Sequence, residues 1–232
     1  MIECSLFERR ANIHSKVHAK YLDKYLGFKI PKIEVKLQQK YRSYDQSADQ
    51  SNKKKHFEGT QTWIGLHPQA LQTPYNDIYE VLESIKTHDI ETVVDIGAGY
   101  GRVGLVTSAI FPKASFLGYE ILSKRRDEAN RVFKLHGLDN CELVLQNVLE
   151  ESFQLPDADV YFIYDFSELD DICTILDELS ERLIDKSFFL ITKGDRIDYL
   201  IAKKYKEFWR ANGYLQFKEL KVYSSHIDLK QE

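Results

Sequence analysis

The chain has 232 residues, a formal net charge of −4 and 43% hydrophobic residues, so it carries enough apolar material for one sizeable core. No window approaches 18 consecutive apolar residues, which excludes a membrane-spanning helix. The charge is uneven: residues 1–60 hold 13 Lys/Arg against 7 Asp/Glu (+6), and residues 61–232 hold 19 against 29 (−10).

The N-terminal "MIECSLFERR" lacks an apolar run followed by a small-residue cleavage site, so no secretory leader is expected. Cys4, Cys141 and Cys173 are odd in number, with no Cys-x-x-Cys spacing. They read as free thiols in a reducing compartment, and the expected location is cytoplasmic.

Residues 1–42 read as helical and basic, with Ile13, Val17, Tyr21 and Tyr25 on one face. Residues 41–59 are polar and nearly free of aliphatic side chains, as in a linker. The expected division is therefore a basic helical extension with a polar linker over 1–60, and one domain over 61–232. Ile78, Val81, Leu82 and Ile85 fall at i, i+3, i+4, i+7 and predict an amphipathic helix. "ETVVDIG" predicts a short buried strand, and "YGRVGLVTSAIF" a helix ended by Pro112. "ASFLGYE", "CELVLQN", "ADVYFIYDF" and "SFFLITKG" predict further strands. Helices alternate with them over 123–136, through Ile172–Leu183, and from Ile197 through Phe208 to Asn212-Gly213. "YLQFKELKVYSSHIDLK" closes the chain as two strands around Ser224-Ser225. Strands alternating with helices predict a doubly wound, mostly parallel α/β sheet. Two final strands with no helix between them pair through a tight turn, so the sheet ends in an antiparallel hairpin.

In such folds ligands lie beyond the carboxyl ends of the strands, where strand order reverses. "VVDIGAGYGRVG" (93–104) supplies a glycine-rich strand-to-helix turn there. Gly97, Gly99 and Gly101 let the backbone turn sharply and approach a ligand, and the helix behind them favours a negative group. Asp95 ends the strand and, buried, needs a donor such as a ligand's amino group. Glu120 ends the next strand, 21 residues after Gly99, where an acid hydrogen-bonds ribose hydroxyls. Asn147 ends the third strand, within reach of an adenine amine.

These residues resemble motif I of the class I S-adenosylmethionine-dependent methyltransferases, an acid followed by Gly-x-Gly-x-Gly. "GYE" (118–120) is similar to their second motif, and "IYDF" (163–166) stands at their fourth. The resemblance covers residues 63–232. It implies a seven-stranded sheet ending in an antiparallel hairpin, and S-adenosylmethionine as cofactor. It implies cofactor contacts at Asp95, Gly97, Ala98, Gly99, Gly101, Glu120, Ile121, Asn147 and Val148. "GLHPQALQTPYNDIYEVL" (65–82) is loosely similar to the pre-motif segment of the non-SET protein-lysine methyltransferases. In those a Thr/Pro/Tyr loop closes on the methionine end of the cofactor, which here implies Thr73 and Tyr75. A nicotinamide-binding fingerprint fits less well. "GYGRVG" begins four residues beyond Asp95, and starting at Gly97 puts Arg102 at the third glycine position.

Methyl transfer from a sulfonium is a displacement that needs alignment rather than a particular nucleophile or metal. The acceptor class is therefore sought after the fourth strand, in "YDFSELDD" (164–171). It lacks the Asn/Asp-Pro-Pro-aromatic tetrapeptide of amino-adenine and glutamine enzymes, and the chain lacks the two-glutamate loop of arginine enzymes. Cys173 falls in a helix rather than at the catalytic place of RNA cytosine enzymes. Asp165, Glu168, Asp170 and Asp171 suggest a negative mouth that attracts an amine, with Asp165 and Tyr164 as catalytic candidates. The expected acceptor is a protein lysine or another amine. RNA held by Lys16, Lys20, Lys24, Lys53, Lys54 and Lys55 is the alternative, and a non-catalytic scaffold the third. Arg102 is expected to pair with Glu120 or Asp165. His14 and His18, at i, i+4, lack the third ligand of a metal site, and Trp63 and His67 read as lid or core packing.

Overall fold

The computed structural model describes residues 2–40, 56–57, 60–61, 64, 67–183, 186–210 and 212–224. Lys53, Lys54, Lys55, Trp63 and nearly all of the expected linker lie outside the described residues. A short 3₁₀ turn, Cys4–Leu6, precedes α1 (Ser15–Tyr25) and α2 (30–40). Strands β1 (His56–Phe57) and β2 (Thr60–Gln61) pair antiparallel as a small ribbon. Then come α3 (Pro68–Leu71), α4 (Tyr75–Glu83), β3 (Thr92–Ile96), α5 (Arg102–Ile110), β4 (Ser115–Glu120), α6 (Ser123–Leu135) and β5 (Cys141–Leu145). The chain continues through β6 (Val160–Tyr164), α7 (Leu169–Arg182), β7 (Phe189–Lys193), α8 (Asp195–Lys203), β8 (Tyr214–Phe217) and β9 (Leu220–Ser224).

The main sheet has the order β5-β4-β3-β6-β7-β9-β8. Its first five strands are parallel, and β9 runs antiparallel to both β7 and β8. Alternation along each strand divides the core. Val93, Phe162 and Ile191 face a cluster with α4, α5 and α6, while Val94, Ile163 and Leu190 face α7 and α8. The order reverses between β3 and β6, which opens a crevice at their carboxyl ends.

Two local readings are corrected, and a third is completed. The closing turn lies at Lys218-Glu219, with Phe217 paired to Leu220, and Ser224 ends β9. Lys218 takes a left-handed φ of 54°, a turn conformation that its residue type does not advertise. Helix α8 stops at Lys203, and Tyr205 and Phe208 reach the core from a separate 3₁₀ turn, so the apolar pattern outlasts the helix. Val17, Tyr21 and Tyr25 of α1 are exposed, whereas His18, Ala19, Leu22 and Asp23 are buried. Ala19, Leu22, Leu26, Phe28 and Ile30 belong to the same apolar cluster as Val93 and Val106. The N-terminal helices are thus packed into the sheet's own core.

Candidate functional site

Strand β3 delivers Asp95 to the crevice, and the chain then turns through Gly97, Gly99 and Gly101, at φ values of 80°, 57° and 71°. The Gly97 and Ala98 N–H groups donate to Tyr119 O at 3.1 and 2.9 Å, which fastens the turn to β4. A methyl group on Gly99 would meet no atom within 4 Å, so this part of the turn faces open space. A methyl on Gly101 would lie 2.7 Å from Phe133, and one on Gly104 2.5 Å from Phe116. Those two glycines let α5 seat against α6 and β4. The "GYGRVG" stretch therefore combines a glycine open to space with glycines of internal packing.

A cavity of about 50 Å³ opens beside the turn, smaller than the roughly 300–1,000 Å³ of small-molecule clefts. Asp95, Gly97, Ala98, Gly99 and Arg102 form one side, Gln72 and Thr73 another, and Ile78, Val103, Phe162 and Tyr164 the apolar remainder. Asp95 is buried, and no donor among the described residues reaches its carboxylate. Burial, then the nearby charge of Glu120, pushes its pKa up to about 8. Gln72 donates its amide N–H to Pro68 O at 3.4 Å, and its buried Oε1 has no partner. The cavity wall thus carries Asp95, with no donor among the described residues, and Gln72, whose Oε1 is buried without a partner. Such a cavity suits a ligand that brings N–H groups, above all an ammonium.

Glu120 is also buried. Its Oε2 accepts from Gly99 N at 2.9 Å and its Oε1 from Leu122 N at 2.8 Å. Burial raises its pKa, against the opposing pull of Arg125 and those two N–H groups. Each oxygen keeps a lone pair, so the anchored carboxylate can still accept from a diol.

The remaining expected residues divide. Thr73, Ala98 and Tyr164 stand on the cavity wall with Asp95, Gly97 and Gly99, while Gly101 sits behind them in the turn. Glu120, Asn147, Val148 and Ile121 do not line the cavity. Asn147 Oδ1 accepts from Leu149 N at 3.1 Å, and Ile121 packs on the cluster of Leu37, Ile64 and Leu122. Tyr75 is fully buried and does not line the cavity. Its ring stacks on Phe7 at 5.4 Å, and its hydroxyl donates to Asp23 at 2.9 Å. Asp165 is paired with Arg196, whose Nε lies 2.8 Å away, and the same guanidinium donates to Ser167 O at 2.7 Å. Asp171 accepts from the Ser167 hydroxyl. Much of the expected negative mouth is therefore internally bonded, and Lys193 stands near it, 5.2 Å above the Tyr164 ring.

Arg102 binds neither Glu120 nor Asp165. It forms a buried pair with Asp23 of α1 and donates to Thr73 O at 3.0 Å and Gln69 Oε1 at 3.1 Å. The sequence reasoning missed Gln72 as a cavity residue, and missed the buried Asp23, Glu34 and Arg125. An isolated acid on an otherwise basic helix was the available signal for Asp23 and Glu34. His14 caps α1 and His67 caps α3 through their Nδ1 atoms, which accept from Lys16 N and Gln69 N at 3.3 and 3.2 Å.

No protein-family model matches the chain, and no curated protein matches it in sequence. Solved structures do. The chain is similar to precorrin-6y C5,15-methyltransferase from Geobacter metallireducens, with 20% identity over 68% of this chain and 91% of that one, and a TM-score of 0.50. It is also similar to mitomycin 7-O-methyltransferase, with 19% identity over 64% of this chain and a TM-score of 0.47, but it spans only 53% of that protein. At these identities the likeness is one of fold. The chain has the seven-stranded, Rossmann-like architecture found in the precorrin enzyme.

Proposed function

We propose that the chain is an S-adenosylmethionine-dependent methyltransferase. The observation that carries this reading is Asp95, a buried acid that takes no hydrogen bond among the described residues, beside a glycine turn open at Gly99. Asp95 and Gln72 would take the ammonium of the cofactor's methionine, and Glu120 its ribose hydroxyls. Gly97, Ala98 and Gly99 would lie along it, Thr73 at its methionine end, and Asn147, Val148 and Ile121 on the adenine side. When bound, the cofactor supplies a methyl group on a positively charged sulfur. The protein's own task is to exclude water and align an acceptor, which Ile78, Phe162 and Tyr164 do as an apolar wall.

For the acceptor, the leading reading is an amine nitrogen, of a protein lysine or a small molecule, passing along Tyr164. RNA is the second reading, and one observation favours it. Helix α1 exposes Lys16, Lys20 and Lys24 beside a column of Val17, Tyr21 and Tyr25, an arrangement of charges for phosphates and rings for bases.

Calorimetric titration of S-adenosylmethionine and NADH into the wild type and Glu120→Ala tests the cofactor. Micromolar binding of the former, weakened by the substitution, is expected; binding of NADH instead overturns the reading. Radiolabelled methyl donor offered with protein, amine and RNA pools then tests the acceptor. Label in RNA alone rejects the amine.

A further inference from the structure

The residues on either side of Gly101, Tyr100 and Arg102, are both buried, and each is held by a carboxylate from a different N-terminal helix. Helix α1 supplies Asp23. Its Oδ1 accepts from Arg102 Nε at 3.1 Å and from the Tyr75 hydroxyl, and its Oδ2 from Arg102 Nη2 and from Gln69 Nε2 at 2.8 Å. The remaining guanidinium nitrogen donates to Thr73 O, so this knot reaches the wall of the cavity that Thr73 and Gln72 form. Helix α2 supplies Glu34. Its Oε1 accepts from the Tyr100 hydroxyl at 2.7 Å and from Arg125 Nε at 2.9 Å. Arg125 belongs to the first turn of α6, three residues after Leu122, whose N–H anchors Glu120. The first knot thus serves the methionine side of the site, and the second its ribose side.

We infer that Asp23 and Glu34 are positioning residues of the cofactor site, and that the N-terminal helices complete that site rather than serve only as a platform for substrate. The inference rests on the methyltransferase reading above. The chemistry explains why these contacts matter. A turn with three left-handed glycines has little stiffness of its own. Fixing its two large side chains on opposite sides, with bonds inside a buried environment, leaves it one conformation. Arg125, held by Glu34, also keeps a fixed distance from Glu120. Asp95 from β3, Arg125 from α6, Glu34 from α2 and Tyr100 from the turn are the charged and titratable groups facing that carboxylate.

The test uses two probes on the full chain, S-adenosylmethionine and 5′-methylthioadenosine, which has the nucleoside but no amino-acid end. Each is titrated calorimetrically into the wild type, Asp23→Asn, Glu34→Gln and Tyr100→Phe, and urea unfolding is followed on the same samples. Asp23→Asn is expected to weaken S-adenosylmethionine at least tenfold while changing methylthioadenosine less than threefold. Glu34→Gln is expected to weaken both probes by a similar factor of ten or more, and Tyr100→Phe, which removes one hydroxyl, to weaken both a few-fold. Equal losses for both probes in every variant, in proportion to the fall in unfolding midpoint, reduce the two acids to general stabilisers and overturn the inference. So do unchanged affinities. Failure of the wild type to bind either probe sinks the methyltransferase reading itself. If Asp23→Asn does not fold, Gln69→Leu probes the same knot, and an unselective effect there counts against the proposal.

Discussion

Asp95 and Asp23 are the same residue type at nearly the same burial, 4% and 6% exposed, one just before the glycine turn in the chain and the other bonded to Arg102 just after it. Their surroundings differ completely. Asp23 takes four hydrogen bonds from Arg102, Gln69 and Tyr75, whereas Asp95 takes none among the described residues. Burying a carboxylate without donors is costly, so a fold tolerates it where a ligand brings them. The contrast separates two uses of a buried charge. Asp23 completes the folded chain, whereas the Asp95 carboxylate has no donor among the described residues.

The largest expected effect comes from breaking the satisfied side. Asp23→Ala strands the Arg102 guanidinium in the interior, a loss that costs about 3–5 kcal/mol of stability. Urea or thermal unfolding measures it. A double replacement, Asp23→Leu with Arg102→Met, removes both charges and is expected to recover much of that loss. Recovery separates a stranded charge from a need for the pair itself.

Asp95→Asn acts on the other side, and its two effects have opposite signs. Loss of a charge-assisted hydrogen bond weakens S-adenosylmethionine by about 1.5–3 kcal/mol, roughly 10- to 150-fold. The empty protein, however, gains. The Asp95 pKa is raised in the folded state from 3.8 to about 8, so the native form binds the extra proton across that interval. Its contribution to stability is fully present below pH 3.8 and is lost as pH rises through about 8. The asparagine variant escapes that loss and is expected to be the more stable protein at pH 8.5, with the advantage vanishing near pH 4. Unfolding midpoints at the two pH values check it, and a variant less stable at pH 8.5 contradicts the account of Asp95 as an unpaired acid.

The same contrast runs along the glycines. Gly101→Ala puts a methyl 2.7 Å from Phe133 and keeps a left-handed φ, at a cost of about 1–3 kcal/mol. Gly99→Ala meets nothing within 4 Å and has only the backbone penalty of about 1–2 kcal/mol, yet it projects into the open side of the turn. The first substitution is expected to lower the unfolding midpoint more, and the second the cofactor affinity more. Reversed effects would place the ligand on the wrong side of the turn.

How far the sequence carried the reading differs by region for physical reasons. The central fold was legible because β3, β4, β6 and β7 are short apolar runs each followed by a helix, and the last two strands follow one another with only a tight turn between them. The placing of Asp95, the glycines and Glu120 at strand ends and in the turn was legible because it depends on one local unit. The partners of Arg102 and Arg125 were not, because Asp23 and Glu34 lie 79 and 91 residues away in sequence. Helix α1 was read from its apolar column, Val17, Tyr21 and Tyr25. Its buried side instead carries His18 and Asp23, polar residues chosen by what they meet across the core. The partner of Asp165 was not legible because Arg196 comes from the start of a later helix.

The smallest expected effect on stability belongs to the exposed side of α1. Tyr21 and Tyr25 are 64% and 70% exposed, and Lys16, Lys20 and Lys24 stand in the neighbouring column. Replacing the three lysines by glutamate leaves the Asp23 knot untouched, so each change is expected to stay within about 0.5 kcal/mol in unfolding. Affinity for S-adenosylmethionine is expected to stay at the wild-type value. If this face holds single-stranded RNA, each lysine contributes about 0.7 to the slope of log affinity against log salt, so the triple variant lowers that slope by about 2. Fluorescence anisotropy of a labelled oligonucleotide over a salt series reads it directly. An unchanged slope removes this face from the acceptor question and leaves the amine reading with Tyr164. A reduced slope with intact cofactor binding makes α1 a helix of two independent sides, one acidic and buried against the turn, the other basic and facing substrate.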